Sequence, residues 1–114
     1  MNAFASTLPD TPITRINASL LTRSIGSMVS IVGTVETASG NTATLHSSDD
    51  QSVRIQCSNG FTYPIGRVVE VIGTVNNDGS ITMQYATGFD GTYNAHAYNK
   101  LVEYMNGKFH GDLF

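Results

Sequence analysis

Two stretches of the chain, Val29–Val35 (VSIVGTV) and Val69–Val75 (VEVIGTV), are near copies of each other. Both are apolar and rich in β-branched residues, and both are interrupted at the same place by a glycine, Gly33 and Gly73. Glycine inside a strand has no side chain to pack and loses much backbone freedom on folding. A chain that accepts this twice needs a sharp bend or a close backbone approach at each point. Closing a few short strands into a small barrel creates that need, because a strand that pairs on both edges must turn a corner. Gly33 reads as such a corner, and Gly73 as a second one or as a point of close approach.

The remaining strand signals fit around these two. Met28–Ala38 is the first strand, followed by a Ser39-Gly40-Asn41 turn. Thr42–Ser47 alternates about Ala43 and Leu45, and Asp49-Asp50 marks the next turn. Ser52–Cys57 places Val53, Ile55 and Cys57 on one face. Arg67–Asn76 is the second glycine-broken strand, Asn77-Asp78-Gly79 a tight hairpin signal, and Ser80–Phe89 the fifth strand. The period then turns helical over Asn94–Asn106, with Gly107 as a stop. Asn17 is placed to cap a short helical turn before the first strand. The expectation is an all-β fold, a five-stranded OB-type Greek-key barrel with a C-terminal α-helix. It divides into an N-terminal arm (1–14), a barrel (15–92) and a terminal helix (93–108).

Charge narrows the function. The net charge is −3, and the six cations, Arg15, Arg23, Arg54, Arg67, Lys100 and Lys108, include no adjacent pair. Non-specific nucleic-acid binding rests on phosphate neutralisation, so this chain is poorly equipped to grip a strand alone. Cys57 is the single cysteine, which excludes an internal disulfide framework and a CxxC knuckle. His46, His96 and His110 lack ligand spacing with one another or with Cys57, and there is no P-loop or GxSxG. The expectation is a non-enzymatic protein with no cofactor and no metal. The first residues lack a basic flank and an apolar core, so they do not read as a signal peptide.

Two groups of side chains are candidates for binding. On the helix, Tyr98, Leu101, Val102 and Met105 form one apolar stripe. From the residues alone it serves equally well to cover its own barrel or to dock another polypeptide. Arg54, Phe61, Tyr63 and Arg67 are the plausible stacking and phosphate-contacting group for a nucleic acid. Phe61 and Tyr63 also suit core or rim packing.

Arg15-Ile16-Asn17-Ala18, Leu21, Val29–Glu36 (VSIVGTVE), Gly66–Val75 (GRVVEVIGTV) and the helix bearing Tyr98-Asn99 and Val102 carry a family resemblance. In order and spacing they resemble the smallest subunit of replication protein A, the heterotrimer that coats single-stranded DNA. The likeness runs from Arg15 to Met105. It implies a structural subunit whose helix, through Tyr98, Leu101, Val102 and Met105, joins helices of the middle and large subunits in a three-helix bundle. It also implies a nuclear location, roles in replication, repair and recombination, and contact with single-stranded DNA mainly through the partners. A telomere-dedicated relative, or a free-standing oligonucleotide-binding barrel, are the alternatives.

Overall fold

The computed structural model describes residues 13–89 and 93–105. Its strands are β1 (Thr14–Ile16), β2 (Met28–Ser39), β3 (Thr42–Ser47), β4 (Ser52–Gln56), β5 (Val68–Val75) and β6 (Ile81–Gly88), followed by helix α1 (Ala95–Met105). Strand β2 pairs antiparallel with β5 through its first half and with β3 through its second. The sheet continues from β3 to β4, then to β6 by a parallel pairing of Ile55 with Ile81 and Gln56 with Thr82, and closes through β5 back onto β2. The ring β2-β3-β4-β6-β5 is closed, the OB barrel expected from the strand count.

Strand β2 is shared at Gly33 and Thr34, with Gly33 paired with Ser47 on one side and Val69 on the other. A Cβ there would lie 2.7 Å from the carbonyl oxygen of His46. Gly73 sits beside a bulge in the β5–β6 pairing, and a Cβ on it would run into the carbonyl oxygen of Thr82. Both glycines are therefore points of backbone approach on a barrel too tight for any side chain.

The interior follows from strict alternation. In β5 the inward residues Val69, Val71 and Val75 are fully buried, as are Ile31, Leu45, Ile55 and Ile81 from the facing strands. Removing such aliphatic side chains from water supplies the main drive to closure.

Two local expectations change. A sixth strand, β1, lies parallel to β2 with Thr14 opposite Val29. At three residues it is too short to show a period, and it takes Thr14 out of the expected arm; residues 1–12 of that arm, 90–92 of the barrel segment and 106–108 of the helix segment lie outside the described residues. Asn17 does not cap the helical turn at Ala18–Leu20, which is a 3₁₀ turn with no side-chain cap. Its side chain instead donates to Asn99 of α1 and accepts from the Ser19 hydroxyl.

Candidate partner interface and nucleic-acid face

Helix α1 is capped by Asn94, the residue before it, whose side-chain oxygen accepts the backbone N–H of Ala97 at 2.9 Å. Its barrel-facing side is Tyr98, Asn99 and Val102. The Tyr98 hydroxyl donates to the carbonyl of Ile16 at 3.2 Å. Burial, the largest cause, pushes the Tyr98 pKa far up, so the hydroxyl keeps the proton that this bond needs. The Asn99 side chain accepts from Asn17 Nδ2 at 3.0 Å and from the Ser48 hydroxyl, and donates to the Ser48 carbonyl at 2.8 Å. Val102 is 1% exposed.

Leu101 and Tyr104, by contrast, are 38% and 48% exposed. Phe89, just past β6, is exposed to the same degree as Leu101. The two share a cleft of about 280 Å³ whose walls also include Val32, Tyr98, Arg15 and Glu70. A neighbouring cleft of about 220 Å³ again uses Phe89, Tyr98 and Leu101 and adds Tyr93 and Ala97. Tyr93 stacks edge-on to Phe89 at 6.1 Å and tilts against Tyr98 at 6.3 Å, so the clefts are aromatic-walled.

The structure thus divides the predicted helical stripe. Val102 is spent on its own barrel and is not available to another chain, because positions 98, 99 and 102 share one helical face. Tyr98 is largely buried but still edges both clefts. Leu101 is presented outward, and the side chain of Met105 lies outside the described residues. Phe89 was missed from the sequence; an aromatic at a strand end, next to Gly88, carries no periodic signal that separates rim from interface.

The predicted nucleic-acid group is also divided. Arg54, on the outer face of β4, is ion-paired with Asp78 at 2.7 Å, beside the start of β6. The Arg67 guanidinium lies over Gly88, at the far end of β6. The two thus sit at opposite ends of β6, a strand about 23 Å long. Phe61 and Tyr63 pack edge to face at 5.7 Å and are half-buried against the core, with the Tyr63 hydroxyl donating to the Ala86 carbonyl at 3.1 Å. The two rings are partly taken up by packing and the two arginines stand apart, so these four residues do not make one stacking platform.

The outer face of β3 and β4 carries a cluster that sequence spacing did not reveal. His46 places Nδ1 3.2 Å from Glu36 and Nε2 3.1 Å from Asp50, and the Ser52 hydroxyl donates to Glu36 at 2.7 Å. Among the described residues no group of His, Cys, Asp or Glu is arranged to hold a metal ion. Cys57 is buried beside Met83, and burial raises its thiol pKa, which leaves it the proton and little nucleophilicity.

Comparison with known proteins adds a family. Residues 10–110 match the family described as replication factor A protein 3. A 14 kDa replication protein A subunit of Arabidopsis thaliana is 31% identical over 98 residues, covering 86% of this chain and 91% of the relative. Among solved structures, U. maydis replication protein A bound to single-stranded DNA matches with a TM-score of 0.80 and 26% identity, over 90% of this chain and 96% of that one. The S. pombe Stn1–Ten1 complex matches with a TM-score of 0.72 and 14% identity, over 87% and 96%, a likeness of fold.

Proposed function

The chain belongs to the replication factor A protein 3 family, and from that membership we propose that it is the small structural subunit of a replication protein A-like, single-stranded DNA-binding heterotrimer. It acts in the nucleus, in replication, repair and recombination. Its mechanism is assembly: α1 offers Leu101, with Ala97, Tyr104, Met105 and the edge of Tyr98, to helices of the middle and large subunits in a three-helix bundle. DNA is held mainly by those subunits.

The observation that carries this reading is the two-sidedness of α1. One face is fixed to the barrel by Tyr98, Asn99 and Val102, while Leu101 and Tyr104 stay exposed beside the Phe89 clefts. An 11-residue helix is marginal by itself, so the barrel-fixed face is what holds it ready for others. Fully burying a side chain such as leucine is worth about 1.5–3 kcal/mol, and association costs about 4–15 kcal/mol. One apolar contact is too little, and a bundle with two partner helices supplies several.

The test is co-expression of the chain with the middle and large subunits of its own organism's complex. Leu101→Asp is expected to abolish co-purification while the barrel stays folded; retained co-purification would refute the interface. Capture of a telomere-specific pair of chains instead would move the protein to the telomere-dedicated branch.

A further inference from the structure

The turn between β3 and β4 is held from two sides. On one side, His46 is bracketed by Glu36 and Asp50. Glu36 is the extra residue where the β2–β3 register slips between Val35 and Thr37, and the Ser52 hydroxyl steadies its other oxygen. Asp50 has φ +64, and among the described residues no other non-glycine residue occupies that left-handed region. On the other side, Ser48 holds Asn99 of α1 through both its carbonyl and its hydroxyl. Asp49 accepts the backbone N–H of Ser19 at 2.8 Å.

We propose that the Glu36–His46–Asp50 cluster is a proton-operated latch on this turn, setting how firmly α1 is fastened to the barrel. Both ring nitrogens face carboxylates, and only the imidazolium can donate to both at once. A neutral ring must turn a lone pair on one of them. Loss of the proton therefore releases one carboxylate. If Asp50 is the one released, its unfavourable backbone angle loses the contact that offsets it.

The groups facing His46 are Glu36 from β2, Asp50 from the turn and Ser52 from β4. Further along β4, Arg54 is engaged by Asp78. The bonds to Asp50 first and Glu36 second raise the His46 pKa above its ordinary value of 6.5, against a smaller opposing effect of burial. The latch is closed below that ordinary value and opens as pH rises through the raised one.

The experiment is a pH titration of the full chain from 5 to 9 by nuclear magnetic resonance, following the His46 ring and the Asn99 side-chain amide. The Asn99 signal is expected to shift with the midpoint of His46. After correction for intrinsic rates, hydrogen-exchange protection of the turn is expected to fall about two- to fivefold, the scale of an exposed ion pair. Both responses should vanish in His46→Gln. Asp50→Gly, which suits the left-handed backbone, should abolish them with the barrel intact and so reads the latch even if the first variant folds poorly. An Asn99 signal that ignores the His46 titration, or follows the same curve in either variant, would overturn the proposal. Because the measurement uses the chain alone, that outcome would leave the partner interface standing.

Discussion

Asn17 Nδ2 donates to Asn99 Oδ1 across 3.0 Å of space and 82 residues of sequence. The bond ties the segment leading out of β1 to the terminal helix, and Ser48 joins it from the β3–β4 turn. Three separate parts of the chain therefore meet on one amide. Asn99→Ala would leave Asn17 and Ser48 without this partner at a part-buried junction. The expected loss of stability is about 1–3 kcal/mol, read from urea unfolding. If α1 were held by Val102 alone, the variant would unfold at the wild-type midpoint.

Gly73 and Gly33 are predicted to rank in order of crowding. Both would force a new Cβ onto a backbone oxygen, which cannot rotate away, and the approach is tighter at Gly73. Gly73→Ala should destabilise by at least about 2–3 kcal/mol, and Gly33→Ala by somewhat less. Gly79→Ala provides the contrast. Nothing crowds that position, but its φ of +83 disfavours any side chain, so about 1 kcal/mol is expected. Thermal melts of the three variants check the ranking; equal losses at Gly73 and Gly79 would contradict it.

The barrel was legible because alternation and turn chemistry act locally. Val69, Val71 and Val75 announce an inward face, and Asn77-Asp78-Gly79 announces a hairpin, before any tertiary contact exists. The glycines were legible for a different reason, since two identical departures from good strand sequence ask for a shared cause. The binding surfaces were only half legible. A helical stripe shows that Tyr98, Leu101 and Val102 cluster, but not which flank turns inward, because that depends on where β1 and Ser48 stand. His46 meets Glu36 at a bulge in β2, and a bulge leaves no mark in spacing.

Val102 and Leu101, adjacent in sequence, should respond oppositely to truncation. Val102→Ala removes two methyl groups from a fully buried site, and about 2 kcal/mol of chain stability is expected to go with them. Leu101→Ala takes atoms from a surface and should change the stability of the isolated chain by less than about 0.5 kcal/mol. Chemical unfolding of both variants is sufficient to tell. A Leu101 loss as large as that of Val102 would mean that α1 sits rotated from the described position.

The β5–β6 hairpin is predicted to weaken in acid through Asp78. Its carboxylate accepts from the Ser80 hydroxyl and the Ser80 backbone N–H, and Arg54 lies at 2.7 Å. Ser80 first, and then Arg54, hold the Asp78 pKa below the usual aspartate range. A depressed folded-state value means the contribution is complete above the unfolded value and is lost as pH falls through the folded one. Between pH 5 and pH 2, Asp78→Asn should show a flatter decline in urea midpoint than the wild type. Parallel curves would remove Asp78 from the acid response.

Binding of single-stranded DNA by the isolated chain should be weak and should respond only modestly to salt. A single strand contributes a slope of about −0.7 per phosphate neutralised in a plot of log affinity against log salt. Arg54 and Arg67 stand at opposite ends of β6, so a short strand engages one or both, and the slope should be no steeper than about −1.5. Phe61→Ala distinguishes packing from stacking. Because Phe61 lies against Tyr63 and the core, the substitution should lower chain stability by about 2–3 kcal/mol and leave the residual DNA affinity within about twofold. Fluorescence anisotropy with a labelled oligonucleotide at several salt concentrations measures both quantities. A steep slope, or an affinity that collapses on removing Phe61 from a still-folded barrel, would place the DNA on this subunit's own surface rather than on its partners.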